Sequence, residues 1–262
     1  MKIIQLTDPH LVQPGQMLNG TDPLARLGIV LDDISRHHGD AGLLVITGDL
    51  TDDGLDQAYR ALDERLRKLG LPYRLLLGNH DQRTTFGAIF PQVPRDEAGF
   101  VQSVLDTREA RLIFLDTLDD GKVGGRLCAT RLAWLEQRLT EAQGRPVLLF
   151  MHHPPFEIGL PALDHCLLAA DDALSLATLV RGHGDVRQIF AGHVHRPAHG
   201  LWNGVPVTML PGTNHQMPLD LHDASVGPVD EPPAYGVILL DADNLIIHLR
   251  ILAPPAMAPA HG

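Results

Sequence analysis

Short apolar runs of strand length recur along the chain, and most are separated by longer segments whose apolar residues repeat at helical spacing. The runs KIIQL (2–6), LLVI (43–46), YRLLL (73–77), RLIFL (111–115), PVLLF (146–150) and VRQIF (186–190) read as buried strands. Segments 22–38, 55–69, 130–142 and 171–182 carry the helical period, and the first and last open with acidic residues that suit a helix N-terminus. Such alternation predicts βαβ units. Beyond residue 196 the pattern changes. Asn203-Gly204 is a hairpin signal, and residues 234–252 read as a second hairpin. The expectation is an α/β chain with helices covering a sheet core and an antiparallel, hairpin-rich C-terminal portion. No repeat or linker divides residues 1–252, which read as one domain. Residues 211–234 lack periodicity and predict a long loop, a candidate lid or oligomer contact. The Pro/Ala-rich residues 253–262 predict a disordered tail.

Composition narrows the function. The chain has 262 residues, 44% hydrophobic and 20% charged, an ordinary globular balance. Its formal net charge of -11 argues against a nucleic-acid polymer as partner, because phosphate neutralisation needs clustered Lys and Arg. A small phosphate ester stays open, since a bound metal supplies positive charge locally. Cys128 and Cys166 are too few for a disulfide framework, which favours a reducing compartment. With no apolar run of the ~18 residues a membrane span needs, and no signal-like segment in MKIIQL, the expectation is a cytoplasmic chain without a membrane partner.

The chemistry lies just after the strands. LTDPH brings Asp8 and His10, ITGDLTDDG brings Asp49, LLGNHDQ brings Asn79, His80 and Asp81, FMHHPP brings His152 and His153, and FAGHVHRP brings His193 and His195. Five apolar strands thus each precede a turn bearing Asp, Asn or His, and three of those turns hold a Gly beside that residue. In open α/β sheets ligands bind beyond the carboxyl ends of the strands, so turns scattered over almost two hundred residues can converge. Imidazole and carboxylate without thiolate suit Fe, Mn, Co or Zn better than Ca.

In its order and residue types, the series D-x-H, G-D, G-N-H-D, H and G-H-x-H resembles the calcineurin-like metallophosphoesterase superfamily, over residues 3 to about 215. The HHPP form and the short chain are similar to its bacterial class III phosphodiesterases, which include cyclic-nucleotide and glycerophosphodiester hydrolases. The resemblance implies a four-layer α/β/β/α sandwich and two divalent metal ions. By motif position Asp8, His10, Asp49 and His195 would hold one ion, and Asp49, Asn79, His152 and His193 the other, with Asp49 shared. It also implies a hydrolase in which a metal-activated hydroxide attacks phosphorus in line.

In this reading His80 donates a hydrogen bond or proton at the reacting phosphate and Asp81 orients His80. Asn79 and His80 then also contact substrate. His153 either follows His152 into solvent or, the favoured reading, supports the metal ligands or touches substrate, and His215 is expected near the site as a substrate contact that does not ligate metal. The other histidines, 37, 38, 165, 183, 199, 222, 248 and 261, read as surface residues, and Trp134 reads as core. The leading expectation is a hydrolase of small phosphodiesters. A cyclic-nucleotide-specific enzyme, a monoesterase, a nuclease and a metal-free scaffold are the alternatives, and a homo-oligomer is open.

Overall fold

A computed structural model describes residues 1–252. The expected tail lies outside the described residues. In chain order the elements are β1 (Lys2–Leu6), α1 (Pro23–His38), β2 (Leu43–Thr47), α2 (Asp56–Leu69), β3 (Tyr73–Leu76), α3 (Arg83–Ile89), β4 (Ser103–Asp106) and β5 (Arg111–Phe114). They continue with α4 (Ala129–Glu141), β6 (Val147–Phe150), α5 (Ala170–His183), β7 (Val186–Ala191), β8 (Ala198–Trp202), β9 (Val205–Met209), β10 (Ala234–Leu240) and β11 (Leu245–Ile251).

Each strand the apolar runs predict is present, within one or two residues at its ends. The pattern missed α3 and β4. Helix α3 spans only seven residues, RTTFGAI, and contains two threonines and a glycine, all weak helix formers. Strand β4 is four residues long and only partly buried, so it leaves no apolar run.

Two sheets form, with strand orders β11-β10-β1-β2-β3 and β4-β5-β6-β7-β9-β8. In the first, β1, β2 and β3 are parallel and the β10–β11 hairpin adds antiparallel beside β1. In the second, β5, β6, β7 and β9 are parallel, while β4 and β8 close the two edges antiparallel. The hairpin-rich C-terminal portion is therefore real but divided, one hairpin to each sheet.

Strand periodicity shows how the layers stack. Successive residues point to opposite faces. Ile4, Leu6, Leu44, Ile46, Leu75 and Leu77 pack with α1, α2 and α3 in one core. The intervening Ile3, Leu43, Val45 and Leu76 meet Leu112, Phe114, Leu148, Phe150 and Phe190 of the other sheet in a second. Ile113, Leu149, Ile189 and Ala191 then face α4 and α5 in a third. The rings of Phe114, Phe150 and Phe190 stack across the middle layer, with centroids 5.2 and 4.8 Å apart. The result is the four-layer α/β/β/α sandwich. Strands covered on both faces are apolar at most positions, Gln5 and Gln188 being the buried exceptions, so they read as near-continuous runs in the sequence.

Candidate metal centre

Strands β1, β2, β3, β6 and β7 all deliver their following turns to one edge shared by the two sheets. Asp8 and His10 follow β1, Asp49 follows β2, and Asn79 and His80 follow β3. His152 follows β6, and His193 and His195 follow β7. The backbone there is unusual. Asp8, His10, Asp49, His193 and His195 have φ between 44° and 70°, and among the described residues only Asn19 and Asn203 join them as non-glycine residues with positive φ. Side chains adopt this left-handed region at a cost, which surrounding structure must offset. Glycines make the close approach possible. A Cβ on Gly78 would stand 2.2 Å from Asp49 Oδ1 and 2.5 Å from His152 Nε2.

The carboxylates are anchored before any ion is considered. Asp8 accepts hydrogen bonds from Thr7 Oγ1 at 2.6 Å and from the His193 amide at 3.1 Å, which ties the turns of the two sheets together. Asp49 Oδ1 accepts from the His80 amide at 2.9 Å. Its other oxygen, Oδ2, lies 3.4 Å from His10 Nε2 and 3.3 Å from His152 Nε2. Asp49 therefore stands between two groups of donors. On one side, ligand atoms of Asp8, His10, Asp49 and His195 lie within 4.8 Å of one another. On the other, Asn79 Oδ1 lies 3.4 Å from His152 Nε2 and 3.0 Å from His193 Nδ1.

Outer partners orient the imidazoles. His10 Nδ1 is 3.0 Å from Asp52 Oδ1, His152 Nδ1 is 2.7 Å from the Thr47 carbonyl oxygen, and His195 Nδ1 is 3.0 Å from that of His215. A carbonyl or carboxylate oxygen accepts, so these three rings carry their proton on Nδ1 and, when neutral, turn the Nε2 lone pair inward. The consequence is sharp at His10 and His195, whose Nε2 atoms are 3.0 Å apart beside the Asp8 and Asp49 carboxylates. Lone pairs and negative charge converging in a buried space favour a cation. The donor set fits divalent metal.

Electrostatics agree. Burial pushes both Asp8 and Asp49 toward neutrality, yet the neighbouring histidines, His195 and His152 respectively, hold each carboxyl well below the usual range. Burial opposes the charged form of His152, and Asp49 nevertheless raises it to about 9. His193 is lowered to about 3 by burial and by the charge of His152.

Asp8, His10, Asp49, His152, His193 and His195 are all buried. Asn79 is partly exposed and His80 more so, its side chain 40% accessible, so these two mark the open face.

Two expected roles are corrected. Asp81 does not orient His80. Its carboxylate is buried and accepts from the amides of Gly78, Leu50 and Thr51 at 3.0, 3.1 and 3.2 Å and from the Tyr59 hydroxyl at 2.9 Å. It welds the β2 and β3 turns together; burial and the Asp49 charge push its pKa up to about 7. The partner of His80 is Asp52, whose carbonyl oxygen lies 2.7 Å from His80 Nδ1. His153 is likewise no substrate contact: it is fully buried, with Nδ1 2.8 Å from Thr117 Oγ1 and Nε2 3.1 Å from the Val123 carbonyl. Both ring nitrogens are spoken for, and its ring supports His193 at a centroid distance of 4.7 Å.

His215 is near the site as expected, its ring 4.4 Å from that of His195 and 5.1 Å from that of His10. Trp134 packs partly buried against the α4–α5 core. Sequence reasoning missed Asp52, Thr7, Thr47 and Cys166. Asp52 sits three residues after Asp49 in the same turn, a signal that was available. Cys166 has none, because it reaches His193 from a distant loop.

With this geometry in hand, comparison with known proteins defines the class. Residues 1–197 match the Calcineurin-like phosphoesterase family, and the chain belongs to it. It is 41% identical to a probable cyclic nucleotide phosphodiesterase of Rhodopseudomonas palustris, over 95% of this chain and 91% of that one. It is 32% identical to a probable glycerophosphodiester phosphodiesterase of Arcobacter nitrofigilis, over 89% of this chain and 86% of that one. Among solved structures, a dimetal phosphatase from Danio rerio superposes with a TM-score of 0.72 at 16% identity, covering 95% of this chain and 96% of that one. That likeness is one of fold.

Proposed function

We propose that this chain is a dinuclear metal-dependent phosphodiesterase acting on small diesters, with residues 1–252 as its single catalytic domain. The observation that carries the reading is the position of Asp49 Oδ2, 3.4 Å from His10 and 3.3 Å from His152, between two donor groups. Asp8, His10, Asp49 and His195 would hold one ion, and Asp49, Asn79, His152 and His193 the other. Iron, manganese, cobalt and zinc all suit this donor set. When bound, such ions lower the pKa of water toward ~7 and polarise a phosphoryl oxygen.

The chain's own residues do the rest. Asp49 and Asp8 reduce the charge of the pair, leaving a net positive site for a diester anion inside an acidic protein. Asn79 and His80 flank the open face from which substrate enters. His80 donates a hydrogen bond from Nδ1 to the Asp52 carbonyl oxygen, so Nε2 is the position from which a doubly protonated ring would donate a proton toward a leaving oxygen.

Two relatives support the diester class, and the higher identity to the one named for cyclic nucleotides makes these the first substrates to test. The location proposed with this reading is the cytoplasm, in keeping with a chain that uses only two cysteines. Among the described residues, no helix is long and apolar enough to cross a membrane.

The test is the ratio of kcat/KM for a chromogenic phosphodiester and its matching monoester, using Mn2+-loaded protein. A ratio well above one is expected, followed by turnover of 3′,5′-cyclic nucleotides or glycerophosphodiesters. A ratio well below one reassigns the chain as a monoesterase. No metal-dependent turnover of either substrate overturns the enzyme reading.

A further inference from the structure

The buried histidines around Asp49 are not equally supported from behind. Three have an oxygen partner: the Asp52 carboxylate for His10, the Thr47 carbonyl for His152 and the His215 carbonyl for His195. His193 is the exception. It turns Nδ1 toward Asn79, and its outward Nε2 meets the Sγ of Cys166 at 3.3 Å.

The direction of the contact follows from the next bond. Cys166 is buried, and its Sγ lies 3.1 Å from the Leu163 carbonyl oxygen, which can only accept. The thiol proton goes to Leu163, so sulfur is left as acceptor for the His193 Nε2 proton. This relay places the His193 proton on Nε2 and turns the Nδ1 lone pair to the site. A thiol sulfur is a weak acceptor compared with a carbonyl or carboxylate oxygen. A weaker outer partner gives a less basic, less firmly held ligand.

The same side of the site uses Asn79, a neutral oxygen donor that is partly exposed. Two features thus act together on one ion. We propose that Cys166 is the positioning residue for His193, and that its thiol keeps the ion at Asn79, His152 and His193 the more weakly held and exchangeable of the two. This rests on the two-ion reading above.

The test titrates metal-stripped protein with Mn2+, following free Mn2+ by electron paramagnetic resonance, so that each ion's affinity is read without turnover. Wild type is expected to show one tighter and one weaker ion. Cys166→Val keeps the packing but has no acceptor, and should weaken only the second ion, by about 10- to 100-fold. Cys166→Ser puts an oxygen acceptor in place of the sulfur and should hold the second ion at least as tightly as wild type does. Cys128→Ala, at a partly exposed cysteine that makes none of these contacts, should change neither ion. Wild-type affinities in Cys166→Val, or equal losses in the Val and Ser variants, overturn the proposal. Two equal ions in wild type also overturn it while leaving the two-ion reading intact. Failure of wild type to take up two ions removes both.

Discussion

The His80 ring leans on Asp52: Nδ1 is 2.7 Å from the Asp52 carbonyl oxygen and 3.5 Å from its carboxylate Oδ1. Asp52 also holds His10 through the same carboxylate oxygen at 3.0 Å. One residue therefore couples a buried metal-type histidine to the exposed one at the mouth of the site.

His80→Ala should keep both ions and lose about 10²- to 10⁴-fold in kcat on a diester with a poor leaving group. The loss should shrink on a nitrophenyl ester, whose leaving oxygen needs little protonation. Equal turnover by wild type and variant on the poor leaving group would remove His80 from the chemistry.

Asp81→Ala should act on stability. Three amides and the Tyr59 hydroxyl lose their common acceptor. Unsatisfied buried donors cost about 1–3 kcal/mol each, although water can reach some of the vacated space. A clear drop in Tm is expected. An unchanged Tm with lost turnover would return Asp81 to the catalytic role.

Asp49→Ala should empty both ion positions, because Asp49 Oδ2 faces both donor groups. Elemental analysis after dialysis checks this. A variant holding two ions would show that each donor group stands alone.

Gly78→Ala should damage site and fold together. The added methyl would fall 2.2 Å from Asp49 Oδ1 and 2.6 Å from the Asp49 amide nitrogen, against backbone that cannot swing aside. Overpacking of this kind costs about 1–3 kcal/mol. Tm and metal content should fall in parallel, and normal values of both would mean that the turn relaxes freely.

Away from the site, Asp33 on α1 accepts from Tyr235 of β10 at 2.6 Å and from Arg250 of β11 at 2.7 Å. The hydrogen bond from Arg250 is the main cause that draws its pKa down to about 2, below the ~3.9 of a free carboxylate. A carboxyl depressed in the folded state contributes stability above pH ~4, and that contribution disappears as pH falls through about 2. Solvent screening limits it to about 1 kcal/mol. Asp33→Asn should therefore lower Tm slightly at neutral pH, and the gap to wild type should close toward pH 2. A gap independent of pH would mean that the pair's charge contributes nothing.

The amino-acid sequence by itself determined ten of the eleven strands and four of the five helices among the described residues, and the set of metal-type residues. Strands buried on both faces are mostly apolar, with buried Gln5 and Gln188 as exceptions that find hydrogen-bond partners, so each left a short apolar run, and five of these runs ended just before a turn bearing Asp, Asn or His of the site. These are local signals, readable within ten residues. The short α3 and β4 carry no such signal, and only their packing holds them.

Tertiary structure decided which hairpin joins which sheet, and who stands behind each ligand. Asp52 and Asp81 lie in the turns after β2 and β3, yet burial takes the Asp81 carboxylate to backbone amides and leaves that of Asp52 beside His10 and His80. Cys166 reaches His193 across twenty-seven residues of chain. Outer partners of this kind are chosen by proximity in the folded chain, for which spacing along the sequence holds no record.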